Sequence, residues 1–404
     1  MGGPGSYCFG KEEQQEVMDV LASGHLSRYG DLQDPNFKHK VYTLEQELSR
    51  QLDVKHALAT SSGTAALYAA LLALGIGPGD EVLVPGYTYV ASISSIIYAQ
   101  ATPVLVEIDN SLNIDPRDIE KKITERTKAI MPVHMLGNPC DLASIMKIAK
   151  RHNLYVIEDT AQAIGASFKG KRLGTFGDIG VLSFNRYKMM AGEGGMLITN
   201  NDELYERAFA IHDQGHRPNR SSKDAAGSYI GVNLKMNELT GAVALAQSRK
   251  LDWMLRRLKT KKELMKSELL TNSGMKFRKI NDPSGECSTV LTVIFNNSDT
   301  ANKIATLLSS KTMINSGWHV YRNMTQIGES KTPVEKWPGK ALFATPTALP
   351  QTNDILSRSF SISIGVLDNG LGTGFGTNIH STESEIKQIA NQFNEAVKTV
   401  YNKA

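Results

Sequence analysis

The chain has 404 residues, 41% of them hydrophobic and 21% charged, an ordinary globular composition that excludes a disordered, collagenous or fibrous protein. Lys+Arg 45 against Asp+Glu 41 leaves a net charge of only +4, too slight an excess to build a nucleic-acid groove by itself. Three cysteines, Cys8, Cys140 and Cys287, show no CxxC spacing, which suits a reducing compartment and neither a disulfide framework nor a metal site. The opening MGGPGSYCFGKEEQQ lacks the apolar run of a signal peptide, and no stretch reaches the roughly 18 uninterrupted apolar residues of a membrane span. The expectation is a cytoplasmic protein with no metal, no nucleic acid and no membrane as partner. Because single cores stop growing at roughly 250–300 residues, one large domain plus a smaller one is expected.

From about Tyr42 to Asn200 helical patterns alternate with short apolar runs, the signature of an α/β fold with a mainly parallel sheet covered by helices. Strands are expected at 57–60, 81–84, 102–106, 129–133, 155–158, 181–184 and 195–199, with a helix at 65–74 that stops at Gly75-Ile76-Gly77-Pro78-Gly79. A long helix is expected over 238–269; its basic stretch carries Leu251, Met254, Leu255 and Leu258 at helical spacing, which reads as a solvated face over a buried one. Strand patterns at 289–295 and 360–364 mark the smaller C-terminal α/β domain. The last helix, 382–401, is opened by Ser381 or Thr382 with Glu385 reaching back. The run Gly370-Leu371-Gly372-Thr373-Gly374-Phe375-Gly376 lacks GxGxxG spacing and reads as a mobile loop, not a dinucleotide site.

Three segments carry chemistry. Ser61-Ser62-Gly63-Thr64-Ala65 follows a strand and opens a helix, so unpaired N–H groups, hydroxyls and the helix dipole converge where a phosphate could sit; a plain Ser/Gly turn with a hydroxyl N-cap reads the same residues equally well. Val156-Ile157-Glu158-Asp159 places two carboxylates at the carboxyl end of an apolar strand, the edge where open α/β sheets gather ligands. An acid there can face a cation on a ligand or merely cap a helix. Lys188 lies between a strand ending in Ser183 and the turn Gly192-Glu193-Gly194-Gly195. A desolvated lysine in that setting could condense with an aldehyde. Together these match the needs of pyridoxal 5′-phosphate: a phosphate turn, a lysine for the aldehyde and an aspartate for the pyridine nitrogen. Tyr89 can stack on the ring face, although an aromatic at a strand end is commonly plain core.

Over nearly its whole length, through SSGTAAL, GIGPGDEVLVPGYTYVAS, NIDP, MPVHMLGNPCD, IEDTAQAIGA, SFNRYKMMAGEGG and GVNLKMNELTGAVALAQ, the chain resembles the DegT/DnrJ/EryC1/StrS sugar aminotransferases. The resemblance implies PLP fold type I, the aspartate-aminotransferase-like fold. It further implies an N-terminal segment near the active site (1–30), a large cofactor-binding domain (31–270) and a small C-terminal domain (271–404). It implies that Lys188 holds the cofactor and that Asp159 partners the pyridine nitrogen. By the same resemblance Gln162 meets the phenolic oxygen, Tyr89 stacks on the ring, and Gly63, Thr64, Ala65 and Ser183 cup the phosphate. Asn233 is the residue that a neighbouring subunit lends, which makes a homodimer with composite sites. The reaction implied is transfer of an amino group from glutamate or glutamine to a keto-sugar. In the related PLP-dependent dehydratases histidine replaces the anchoring lysine, so Lys188 speaks against that activity, and the intact constellation speaks against a non-catalytic sensor on the same fold.

Gly24-His25-Leu26-Ser27-Arg28-Tyr29-Gly30 and Leu349-Pro350-Gln351-Thr352-Asn353-Asp354-Ile355-Leu356-Ser357-Arg358 resemble the branch that forms 8-amino-3,8-dideoxy-manno-octulosonate (Kdo8N), a lipopolysaccharide sugar. A nucleotide-diphosphate keto-sugar or an aminocyclitol ketone is the alternative acceptor. Arg28, Lys235, His319, Arg322 and Arg358 are the candidate substrate contacts, because Arg can hold a carboxylate bidentately. Lys235 stands where the family usually has arginine, and Trp318-His319-Val320-Tyr321 replaces its common His-Tyr pair.

Overall fold

The computed structural model describes residues 2–218, 229–270, 274–329 and 347–402. Its large sheet has seven strands: β1 (His56–Thr60), β2 (Glu81–Pro85), β3 (Thr102–Val106), β4 (Thr127–Ile130), β5 (Tyr155–Asp159), and, after the small hairpin β6 (Ser167–Phe168) and β7 (Lys171–Arg172), β8 (Ile179–Ser183) and β9 (Gly195–Thr199). Their order is β1-β9-β8-β5-β4-β2-β3. Only β9 runs against the rest.

Side chains alternate across a strand, and both faces of this sheet are apolar. Ala57, Ala59, Leu83, Ile130, Val156, Met196 and Ile198 enter one buried cluster. Leu58, Val82, Val84, Ala129, Ile157 and Leu197 enter the other. Helices close both faces. Among them Gly63–Ala73 is buried almost throughout, its small alanines letting it lie close to the strands. The second sheet, β10 (Met275–Phe277), β11 (Val290–Phe295) and β12 (Ser359–Ser363), is antiparallel in the order β10-β11-β12. The C-terminal helix Glu383–Tyr401 packs near it. Thr382 and Glu385 form a capping box there, Thr382 N–H to Glu385 Oε2 at 2.6 Å and Glu385 N–H to Thr382 Oγ1 at 3.3 Å.

The sequence pattern and the structure differ at three places. The run 129–133 ends as a ladder at Ile130, because Pro132 has no N–H to donate and its carbonyl instead accepts from Asp159 N–H at 2.9 Å. The expected long helix is two, Glu238–Ser248 and Leu251–Glu268. No glycine or proline marks that break; at it, the Lys250 ammonium reaches Glu13 (2.7 and 2.8 Å) and the Cys8 carbonyl (3.0 Å), contacts with the far N-terminus. The glycine run read as a mobile loop is tied down by hydrogen bonds from Thr373 N–H to the Asp368 carbonyl and from Thr377 N–H to the Ser363 carbonyl. No helix among the described residues is long and apolar enough to cross a membrane.

Candidate active site

Because β1, β2, β5 and β8 are parallel, their carboxyl ends share one edge, where ligands of open α/β sheets collect. β9 runs the other way, so its first residue, Gly195, arrives at the same edge. A cavity of about 560 Å³ opens there, walled by Gly63, Thr64, Tyr89, Asp159, Gln162, Ser183, Lys188 and His319 together with Asp368 and Trp318.

At one end, Ser62 caps the helix Gly63–Ala73 by accepting the Ala65 N–H at 3.0 Å. Ala65 therefore has its amide committed to the cap and is not part of the wall. Gly63 must be glycine: a Cβ there would lie 2.8 Å from Ser183 Cβ, and one on Gly195 would fall 2.4 Å from Gly63 N. This close approach brings Ser183 beside the first turn, whose leading amides have no acceptor within the helix.

Asp159 is buried, and both its oxygens are engaged. Ser92 Oγ donates to Oδ2 at 2.8 Å, and Ala161 N–H donates to Oδ1 at 3.1 Å. Its neighbour Glu158 points to the opposite face, as strand alternation requires. There it accepts N–H groups from Gly174 (2.9 Å), Phe176 (2.6 Å) and Gly177 (2.8 Å) and meets His134 Nε2 at 3.2 Å. The two carboxylates are therefore not a pair: Asp159 faces the cavity and Glu158 braces the following loop. Gln162 Oε1 accepts the Leu136 N–H at 3.0 Å.

Lys188 sits in the connection between β8 and β9. Burial lowers its pKa, while the charges of Asp159 and Asp368 act the other way. Opposite, the Tyr89 ring lies 5.1 Å from His319, tilted by 44°. His319 is 9% exposed, and among the described residues its Nδ1 has no hydrogen-bond partner. Burial, and secondarily the Lys188 charge, push its pKa down to about 3. The shift favours the neutral imidazole, which offers a hydrogen bond and not a charge.

The remaining candidates lie off the wall. Arg28 is buried against Glu45, with Nη2 2.9 Å from both carboxylate oxygens and Nη1 3.2 Å from the Ala59 carbonyl. This is a structural clamp on β1, since Ala59 N–H also donates to Glu45 at 2.7 Å. Arg358 pairs with Asp354 at 2.6 Å and with the Phe295 carbonyl at 2.9 Å. Lys235 meets Asp213 at 2.5 Å, and Asn233 is exposed beside it. Arg322 is exposed. Asp368 and Ser92 are wall residues that the sequence reading did not single out. Ser92 lies within PGYTYVAS but carries no mark of its own, and Asp368 follows Lys188 by most of two hundred residues with no local signal.

Pyridoxal phosphate fits this wall. The glycine-lined turn with Ser183 suits its phosphate, Asp159 its pyridine nitrogen, Tyr89 its ring face, Gln162 its phenolic edge and Lys188 its aldehyde.

The sequence profile of the DegT/DnrJ/EryC1/StrS aminotransferase family matches residues 7–367. GDP-perosamine synthase of Caulobacter vibrioides is 45% identical over 242 residues, 59% of this chain and 62% of that protein. GDP-perosamine synthase of Escherichia coli O157:H7 is 40% identical over 260 residues, 64% of this chain and 68% of that protein. The match thus spans about three fifths of the Caulobacter relative's length. The crystal structure of 3-amino-5-hydroxybenzoic acid synthase superposes with a TM-score of 0.79 at 25% identity, covering 97% of both chains. With a profile match across most of its length and this cavity at the shared strand edge, the chain belongs to the DegT/DnrJ/EryC1/StrS aminotransferase family, PLP-dependent enzymes of fold type I.

Proposed function

We propose that the chain transfers an amino group from glutamate or glutamine to a keto-sugar, and that the acceptor is a nucleotide-linked keto-hexose. The observation that carries the reaction is the convergence of Lys188, Asp159 and the Gly63–Ser183 cradle on one cavity. When bound, the cofactor would supply an electron sink for proton removal at the donor's Cα. Lys188 Nζ moves the Cα proton; burial favours its neutral form, which a base must have. Asp159, held on both oxygens, would face the pyridine nitrogen and favour its protonated form. The exposed Asn233, off the wall of its own chain's cavity, supports a homodimer in which it completes a neighbouring site.

Two observations favour the nucleotide-linked acceptor over the 8-oxo octulosonate. Arg28 and Arg358, offered for the acid's carboxylate, are engaged with Glu45 and Asp354. The relatives of highest identity given above act in GDP-perosamine synthesis. The octulosonate reading keeps the GHLSRYG and LPQTNDILSR segments as its support. The test is a half-reaction: enzyme loaded with pyridoxamine phosphate is mixed with a GDP-linked keto-hexose, a dTDP-linked one, the 8-oxo octulosonate and an aminocyclitol ketone. Rapid return of the pyridoxal spectrum with a nucleotide sugar alone is expected. Reaction confined to the octulosonate would reverse the acceptor assignment, and reaction with none would remove the keto-sugar reading.

A further inference from the structure

The peptide carrying Lys188 is held from below by the first residues of the chain. Gly3 N–H donates to the Arg186 carbonyl at 2.9 Å, Gly5 N–H donates to the Lys188 carbonyl at 3.3 Å, and Ser6 Oγ also donates to Arg186 O. The same segment reaches the other side of the cavity, since the Gly2 carbonyl accepts the Leu367 N–H at 3.0 Å, one residue before the wall carboxylate Asp368. The segment is itself well anchored. Gly2, Gly3, Pro4 and Gly5 are buried, the Tyr7 carbonyl meets His380 Nε2 at 2.7 Å and the Cys8 carbonyl meets Lys250.

The glycines are there because nothing else fits. A Cβ on Gly3 would lie 2.3 Å from the carbonyl carbon and oxygen of Tyr187 and 2.6 Å from Lys188 O. A Cβ on Gly5 would lie 2.3 Å from Ala191 N and 2.6 Å from Gln247 Oε1. Those neighbours are mostly backbone and cannot swing aside, so a side chain at Gly3 must displace the peptide that precedes Lys188.

We propose that Gly2–Ser6 is a positioning strap that sets the backbone of Lys188 relative to Asp368 and Asp159, so that the N-terminal glycines act through Lys188 on the reaction. None of the strap residues lines the cavity. Its glycine content follows from the two close approaches, and its effect is on where the Lys188 amine stands in the cavity. Misplacement of a reacting group by about 1 Å can cost about 10²-fold in rate.

This inference rests on Lys188 being the cofactor-holding lysine. The test compares wild type with Gly3→Ala, Ser6→Ala and the control Gly10→Ala, whose Cβ would meet only the flexible Glu12 carboxylate at 3.2 Å and the Glu13 and Lys250 side chains at 3.9 Å. Three readouts are taken: hydrogen exchange of the peptide spanning 185–191 in cofactor-free protein, the pH midpoint of the visible band of lysine-bound cofactor, and the kcat and KM for the amino donor. Gly3→Ala is expected to speed exchange in that peptide, to shift the midpoint and to lower kcat by about 10²-fold with donor KM little changed. Ser6→Ala should do the same to a smaller extent and Gly10→Ala not at all. A folded Gly3→Ala protein with the wild-type midpoint and exchange would overturn the strap, and so would a loss of melting temperature unaccompanied by either change. Should Gly3→Ala not fold, wild-type values in Ser6→Ala would overturn it equally. Wild-type enzyme with no lysine-bound band would instead remove the Lys188 assignment itself.

Discussion

Ser92 Oγ donates to Asp159 Oδ2 at 2.8 Å, and that serine is itself 2.6 Å from Thr88 Oγ1, so a helix that begins after Tyr89 orients the carboxylate at the end of β5. A hydrogen bond to a buried charge is worth about 1.5–3 kcal/mol. Ser92→Ala is therefore expected to lower turnover by about tenfold or more, and Asp159→Asn, which removes the charge itself, by orders of magnitude while cofactor still binds. Steady-state kinetics beside cofactor titration check both, and near-normal turnover in Asp159→Asn would contradict its role.

Lys188→Ala should fold normally and lose turnover, because the covalent anchor and the proton carrier vanish together. Borohydride treatment followed by peptide mass analysis should label wild type at Lys188 and leave the variant unlabelled. Labelling at another lysine with normal turnover would move the role elsewhere.

His319 has its pKa pushed from 6.5 to about 3 by burial and by Lys188. Between those values the unfolded chain binds a proton that the folded chain refuses, so stability falls as pH drops through that window, by at most about 1.4 kcal/mol per pH unit from this group. Urea denaturation of cofactor-free protein at pH 7 and pH 5 should show a smaller loss in His319→Asn than in wild type. Equal losses would place the proton elsewhere.

Arg28 and Arg358 should separate cleanly. Side-chain exposures of 7% and 8% put Arg28 and Glu45 in a buried pair. Arg28→Met is expected to destabilise the fold by about 3–5 kcal/mol, since it strands the carboxylate. Arg358 pairs with a largely exposed Asp354, so Arg358→Leu should cost about 0–1 kcal/mol and leave acceptor KM unchanged. A selective rise in octulosonate KM in Arg358→Leu would restore that residue to the substrate site.

Asn233 is tested by mixing. Lys188→Ala and Asn233→Ala chains, each strongly impaired alone, should recover part of the activity when co-expressed, through heterodimers with one intact site. Confirmed heterodimers without recovery would mean that Asn233 serves its own subunit or none.

Short apolar runs between helical stretches determined the α/β fold class, because a strand buried on both faces leaves an unbroken apolar run in the sequence. The segments around Ser62, Asp159 and Lys188 were legible for the same reason: each is a strand end followed by turn chemistry. Which neighbour a side chain meets was decided only by tertiary structure. Glu158 and Asp159 are adjacent in sequence, yet one braces backbone amides and the other faces the cavity. Arg28, a candidate carboxylate contact by sequence, has its guanidinium on Glu45 in the fold. Asp368 and the glycines of the N-terminal strap reach Lys188 from opposite ends of the chain, and no pattern of nearby residues encodes a contact made across such distances, since it exists only once the sheet has set the strand ends side by side.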